Sequence, residues 1–376
     1  MEQRIIAEEK SFEILDHYLL EKHVEHIFLV CGKSFQKFTD IKAYFTQLNT
    51  RLGIQITFFS EFTPNPLYEE VVAGVNLYKK NDCDAIFAIG GGSALDVAKC
   101  IKLFVTMDDQ CNYLQQVIAA NNIPFVVMPT TAGTGSESTK YAVIYYNGEK
   151  QSVTHESSIP DVVLLNGTVL ESLPLYQRKA TMLDAFCHGI EAFWSVNSTI
   201  ESEQYATQAI RLILDNMIGY LNNHALENYN MLVAANYAGK AINITQTTAG
   251  HAMCYKLTTL FGISHGHAAA LCVQHLWRYM LRHKNDCIDN RGQDYLEAMF
   301  ERLAMVLGGK TAEEGANIFT EIVQSLKLDI PIVDEAAYSI LKKSVNVDRL
   351  KNNPIALDEV AIELLYRQIT VQGDAV

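Results

Sequence analysis

The sequence predicts a protein in two parts, an α/β half built on a mostly parallel sheet followed by an all-α half. Three observations carry this reading. Up to about residue 165, short β-branched or aromatic runs alternate with helical stretches. After Pro174 the texture changes to long amphipathic segments. At 376 residues and 49% hydrophobic content, the chain exceeds one unit of ordinary size and has material for two cores. In order, HIFLV (26–30), IQITFF (54–59), DAIFAIG (84–90), FVVMP (125–129), AVIYY (142–146) and DVVLL (161–165) read as strands, while 67–80 and 94–105 have helical spacing. Nearly continuous apolar strands separated by helices indicate βαβ units whose sheet is covered on both faces. The second half predicts helices over 178–195, 201–222, 228–245, 267–283 and 292–308. No Pro/Ser-rich linker intervenes, so domains of 1–170 and 171–376 are expected to meet directly across a cleft.

Charge narrows the functions. A formal net charge of −13 argues against a nucleic-acid or membrane-surface footprint, which needs Lys and Arg clustered on one face. The N-terminal MEQRIIAEEKSFEIL is polar and charged, and no apolar run reaches membrane-spanning length. A cytoplasmic protein handling small molecules is expected. The 8 cysteines are scattered without a C-x-x-C pair, as reduced thiols in a core would be.

The segment Asp84 to Lys99 runs from a strand through Gly90, Gly91, Gly92 and Ser93 into a helix. Ser93 followed by Asp96 resembles a capping box, which would start the helix just after the glycines. Free N–H groups there and the helix dipole suit a pyrophosphate, although a tight structural turn would look the same. A second loop, Pro129 to Glu137, places the hydroxyls of Thr130, Thr131 and Thr134 after another strand. It reads either as a solvated loop or as further hydrogen-bonding groups for phosphate and ribose. Two such loops after successive strands point to one ligand at the carboxyl edge of the sheet.

Histidine carries the second signal. Of 11 in the chain, His251, His265 and His267 fall within one short, mostly apolar stretch. Metal coordination and ordinary core hydrogen bonding are the two explanations. Asp184 and His188 stand four apart, one helical turn, which suits a shared ion or a simple Asp–His hydrogen bond. His251 lies in a helical stretch and His265 in the Gly262–Gly266 turn, so a chain reversal could bring them together. With Asp184 and His188 they make an O/N₃ set for a divalent ion such as Fe²⁺ or Zn²⁺.

These residues resemble the iron-containing (group III) alcohol dehydrogenases along essentially the whole chain. The matches are Pro64-Asn65-Pro66, GGGSALDVAK at 90–99, PTTAGTGSE at 129–137, DAFCHGIEA at 184–192, Gly250-His251, His265-Gly266 and Asn352-Asn353-Pro354. The resemblance implies a Rossmann-like N-terminal domain and an α-helical C-terminal domain, the fold shared with dehydroquinate-synthase-like proteins. It implies metal ligands at Asp184, His188, His251 and His265, and cofactor loops at Gly90 to Ser93, Asp96, Lys99 and Thr130 to Thr134. The implied activity is NAD(P)-dependent interconversion of an aldehyde and a primary alcohol, with the metal as Lewis acid on the carbonyl oxygen. Dehydroquinate-synthase-like lyases and glycerol-1-phosphate dehydrogenases share the fold but usually present a three-ligand zinc site, so the D-x-x-x-H pair and the PTTAGTGSE loop favour the alcohol dehydrogenase branch. A purely metal-binding protein would leave the cofactor loops unexplained.

Departures from the family pattern refine the expectations. Many members carry a further histidine where this chain has Tyr255, leaving Tyr255 and His267 as alternative proton donors. NAD-preferring members tend to have an Asp in place of Gly32, so Gly32 and Lys33 predict use of NADPH, in preference to NADH. Lys140 and Lys256 lie in sequence beside the cofactor loop and the ligand His251. Each alone reads as a solvated lysine; together they suggest a small anionic substrate. The stretches 140–155, 177–186 and 238–258 resemble the phosphonoacetaldehyde reductase branch, which implies reduction of phosphonoacetaldehyde to 2-hydroxyethylphosphonate. A dehydrogenase of a neutral aldehyde or diol, of the lactaldehyde or 1,3-propanediol type, is the alternative. A homo-oligomer, a dimer, is expected.

Overall fold

The central strands form where the chain offers five or six mostly apolar residues in a row, and in the first unit they assemble edge to edge. The computed structural model describes residues 3–7 and 11–372, and the chain divides into two units, Met1–Leu173 and Pro174–Val376. The first unit contains, in order, β1 (Arg4–Ile6), α1 (Ser11–Glu21), β2 (His26–Cys31), α2 (Thr39–Leu52), β3 (Gln55–Phe59), α3 (Tyr68–Lys80), β4 (Ala85–Gly90), α4 (Gly92–Phe104), β5 (Phe125–Pro129), β6 (Tyr141–Tyr146), β7 (Glu149–Thr154) and β8 (Val162–Leu164). Among the described residues, six of these strands form one all-parallel sheet in the order β1-β8-β5-β4-β2-β3. β2, β4 and β5 are buried almost throughout, which is why they read as continuous apolar runs rather than alternating ones.

The strand order reverses beside β2: β3 lies on one side of it and β4 on the other. Ligands of open α/β sheets bind at such a switch point, outside the carboxyl ends of the strands. The register brings Cys31 opposite Ile89, and Gly90 opposite Pro129. Three loops therefore leave the sheet side by side, beginning at Gly32, Gly91 and Thr130.

The run 142–146 does not join this sheet. β6 pairs antiparallel with β7 in a separate hairpin, Tyr141 opposite Thr154. Asn147 and Gly148 have φ of 52° and 78°, the left-handed pair of a two-residue hairpin turn. The Ser93–Asp96 capping box is also absent. α4 starts at Gly92 with Gly91 as its N-cap and no side-chain cap, because the Asp96 carboxylate bonds elsewhere.

The second unit is helical: α5 (Leu175–Trp194), α6 (Ile200–Leu221), α7 (Ala225–Thr245), α8 (Ala249–Phe261), α9 (His265–Arg282), α10 (Gln293–Leu307), α11 (Ala312–Ser325), α12 (Glu335–Lys343), α13 (Val347–Leu350) and α14 (Glu359–Ile369). A short parallel pair, β9 (Ile332–Val333) and β10 (Val371–Gln372), sits beside the last helices. α5 is the axis, buried without interruption from Met182 to Trp194 and packed on α6, α7 and α9. α8 ends at Gly262, whose φ of 66° a glycine adopts without strain, and the chain turns back at once into α9. His265 thus opens a helix, with Ser264 as N-cap, instead of lying in the turn. Among the described residues no helix is long and apolar enough to cross a membrane.

α9 crosses α5 so closely that a Cβ on Gly266 would fall on the Ala180 carbonyl oxygen and 2.6 Å from Asp184 Cβ. Gly266→Ala is expected to cost about 1–3 kcal/mol through overpacking, read as a lower Tm, with weakened metal retention because His265 is the adjacent residue. An unchanged Tm would show that α9 can shift outward freely.

Candidate functional site

The donor atoms of Asp184, His188 and His251 all lie within 4.8 Å of one another. α5 supplies the first two from one face, at i and i+4; α8 supplies His251. Asp184 Oδ1 is the common point, 3.4 Å from His251 Nε2, 4.0 Å from His188 Nε2 and 3.9 Å from His265 Nε2. The His188 and His251 rings stack at 4.5 Å and 14°. His265, from α9, is the accessible member, its side chain 34% exposed, and its Nδ1 lies 3.5 Å from Cys254 Sγ. Divalent ions hold such donors at about 2.0–2.2 Å, which places neighbouring donors on a tetrahedron roughly 3.4 Å apart. The Asp184 carboxylate with His188 and His251 suits an ion of that kind, and His265 stands 3.9 Å from the shared oxygen but outside the 4.8 Å group.

Glu191, one further turn along the same face of α5, was not among the residues chosen from the sequence. It is fully buried. Its Oε2 pairs with His251 Nδ1, and its Oε1 accepts from the Thr248 amide, the Thr248 hydroxyl (2.6 Å) and the His251 amide. Trp194 Nε1 in turn donates to the Thr248 hydroxyl at 2.8 Å. A Cβ on Gly250 would stand 2.9 Å from Glu191 Oε1, so this glycine makes room for the carboxylate. With Nδ1 engaged by Glu191, the other ring nitrogen of His251, Nε2, faces Asp184. Burial works against charge at His251, yet Glu191 and Asp184 outweigh it and push its pKa up to about 9. Burial likewise works against ionised Asp184 and Glu191, but the imidazoles hold both carboxyls below the usual range.

The backbone leading into α8 is strained. Gln246 has φ 58° and ψ 173°, a region populated almost only by glycine. Asn352 holds it there, donating from Nδ2 to Gln246 Oε1 and to the Thr247 carbonyl, while its own backbone carbonyl accepts from Val196.

The loops that follow β4 and β5 interlock. Gly91 and Gly92 pack against Thr131 and Thr134, where added Cβ atoms would stand 3.3 and 3.1 Å from those side chains. The Thr130 amide donates to the Gly90 carbonyl. The first N–H groups of α4, at Gly92 and Ser93, have no intrahelical acceptor, the arrangement that receives phosphate oxygens. Asp96 and Lys99 are turned inward. Asp96 accepts from Ser136 Oγ and the Val143 amide. Buried Lys99 donates to Ser136 Oγ, to the Thr139 carbonyl and hydroxyl and to the Tyr141 carbonyl. Burial lowers its pKa to about 8 against the pull of Asp96. Both clamp the second loop to α4, each carboxylate oxygen of Asp96 accepting one hydrogen bond there.

Residues 2–167 match the iron-containing alcohol dehydrogenase family and residues 179–369 match the C-terminal domain of that family. The chain belongs to the iron-containing alcohol dehydrogenase family. It is 30% identical to a phosphonoacetaldehyde reductase of Streptomyces viridochromogenes over 295 residues, 74% of each chain. It is 33% identical to the probable alcohol dehydrogenase EutG of Escherichia coli, a match spanning 66% of this chain and 64% of that protein. The fold is that of sulfoacetaldehyde reductase from Bifidobacterium kashiwanohense, solved in complex with NAD⁺: TM-score 0.85, 24% identity, 98% of this chain and 96% of that one.

Within this iron-containing alcohol dehydrogenase family member, Tyr255 is one turn after His251, its ring 5.1 Å from that of His265. Its hydroxyl accepts from Arg349 Nη1 at 2.8 Å, and burial makes it a weaker acid than an ordinary tyrosine despite Arg349. His267, the other candidate donor, is on a different face of α9 from His265. It is buried, shares a 3.2 Å hydrogen bond with the Tyr176 hydroxyl, and has its pKa lowered by burial. Lys256 is half-buried beside Tyr255. Lys140 belongs to the first unit and is paired with Glu156 at 2.7 Å, a partner that a substrate anion would have to displace. Gly32 caps a short 3₁₀ turn that starts at the exposed Lys33.

Replacing Glu191 by Gln keeps the shape but removes the charge behind His251. Metal affinity, measured by competition with a chelator, is expected to fall about 10- to 100-fold. Undiminished affinity would strip Glu191 of this role.

Proposed function

We propose that the protein is a metal-dependent, NAD(P)H-linked reductase of an aldehyde to a primary alcohol, with phosphonoacetaldehyde and 2-hydroxyethylphosphonate as its substrate pair. The observation that carries the reading is the convergence of Asp184, His188, His251 and His265, with Glu191 behind His251. A divalent ion bound there, Fe²⁺ in keeping with the family and Zn²⁺ by the usual affinity order, would polarise a carbonyl oxygen. A reduced nicotinamide, when bound, would supply the hydride for the carbonyl carbon, and a proton from the protein would complete the alcohol. Gly92, Ser93, Thr131 and Thr134 would hold the cofactor phosphates. Tyr255 is the proton-donating group: Arg349 donates to its oxygen, which leaves the phenol proton to be given onward. His267 is the alternative donor.

NADPH is the preferred cofactor, on Gly32 and Lys33. An added Cβ at Gly32 meets nothing nearer than Ser34 Oγ at 3.9 Å, and its φ is −77°, so Gly32→Asp tests charge rather than folding. That variant is expected to move the NADPH/NADH ratio of kcat/KM toward NADH by tenfold or more, about 1.4 kcal/mol, through repulsion of the 2′-phosphate. Equal or better use of NADPH by the variant would overturn this preference.

The substrate is tested by kcat/KM for phosphonoacetaldehyde against propanal and lactaldehyde, with both reduced cofactors and with metal content assayed anaerobically. The expected result is preference for the anionic aldehyde. Preference for the neutral ones would replace the phosphonate reading with a dehydrogenase of neutral aldehydes or diols.

A further inference from the structure

Arg349 was linked to the site by no motif spacing, yet it stands one side chain from the donor set. Its Nη1 donates to the Tyr255 hydroxyl at 2.8 Å and to Thr247 Oγ1 at 3.1 Å, and its Cζ lies 5.2 Å from the Tyr255 ring centre. His265 also lies against Tyr255, rings 5.1 Å apart. The guanidinium is half-buried.

A half-buried charge ordinarily has a charged partner. Four other arginines meet a carboxylate: Arg51 meets Asp16, Arg291 meets Asp289, Arg302 meets Glu203, and Arg367 meets Glu335 and Glu363, whereas buried Arg178 donates to the Tyr220 carbonyl and the side-chain oxygens of Asn223 and Asn228. Among the described residues no carboxylate pairs with Arg349, and its chain neighbour Asp348 is taken by Lys351 at 2.7 Å. Both hydrogen bonds of Arg349 leave from Nη1 and end on neutral oxygens. A guanidinium carries five N–H donors in a rigid fork, so Nε and Nη2 keep the edge that matches a tetrahedral or carboxylate oxyanion in two-pronged fashion. The ring of Tyr255 and the Thr247 hydroxyl fix the direction of that fork.

We propose that Arg349 receives the anionic group of the substrate, a phosphonate or sulfonate on the carbon next to the reacting carbonyl. The proposal rests on the aldehyde-reductase reading above and assigns its anion to this arginine, with Lys140 left to its ion pair. It also accounts for a tyrosine one turn after His251: a neutral hydroxyl accepts from Arg349, whereas a protonated histidine there would repel it.

Three variants, Arg349→Gln, Arg349→Lys and Tyr255→Phe, are compared with the wild type in two measurements. One is kcat/KM for phosphonoacetaldehyde, sulfoacetaldehyde and propanal. The other is the calorimetric Kd of 2-hydroxyethylphosphonate, which needs no turnover. Arg349→Gln is expected to lower the anionic-to-neutral ratio of kcat/KM roughly 100-fold, carried mainly by KM, and to raise Kd to a similar degree. Arg349→Lys should recover part of both. Tyr255→Phe, which keeps the charge but removes one acceptor that orients it, should raise Kd less and serves if the Gln variant does not fold. A loss confined to one of the two anionic aldehydes identifies which oxyanion the site takes. If the wild type prefers anions while Arg349→Gln keeps the ratio and the Kd, the arginine assignment falls and the aldehyde reading stands. If the wild type shows no anionic preference, the assignment and the phosphonate reading fall together.

Discussion

Two carboxylates buried on one face of α5 set the terms for the second unit. Asp184 and Glu191 are seven residues apart, two turns, and each is 3% exposed or less. An isolated charge in such a place costs several kcal/mol, so each must be met by donors or positive charge. Glu191 is met by the amide and hydroxyl of Thr248 and by the amide and ring of His251. Asp184 faces three imidazoles. Satisfying them fixes where α8 begins, why Gly250 precedes His251, and how closely α9 crosses at Gly266. The polar chemistry and the packing of this unit are one constraint seen twice.

The first unit uses a similar device at smaller scale. Asp96 and Lys99 sit one turn apart on α4 and bury their charges against the loop that follows β5. Four oxygens surround the Lys99 ammonium, and Asp96 is one residue pair away through Ser136. The effect is to lock the hydroxyl-bearing loop to the glycine-bearing one, so that these two loops at the switch point act as a single surface.

How much of this was legible in the sequence follows from the range of each interaction. The strands at 26–30, 84–90 and 125–129 and the glycine and threonine loops after them could be read because burial on both faces leaves a local apolar signature. So could Asp184 and His188, whose relation is one turn of one helix. The run at 142–146 has the same local composition as the sheet strands, and the turn pair Asn147-Gly148 that diverts it into a hairpin was the signal to weigh. The Ser93–Asp96 pattern suggested a cap because a capping box is local; the carboxylate instead found Ser136, forty residues on. Glu191 was visible in principle as the i+7 member of the Asp184 face. Arg349 was not: its partners Thr247 and Tyr255 lie about a hundred residues earlier, and no period in the sequence connects them.

Gln246 ties the last segment of the chain to the centre of the second unit. Its left-handed, extended backbone is a conformation costing about 1–3 kcal/mol, tolerated because Asn352 bonds its side chain and the next carbonyl. Thr248, His251 and Tyr255 all follow from the path the chain takes there. During synthesis, a chain grown to residue 300 already carries Asp184, His188, His251 and His265, but not the asparagine that holds the strained turn. These side chains exist before their cluster does: its geometry is a late event, set by residues that touch none of the four.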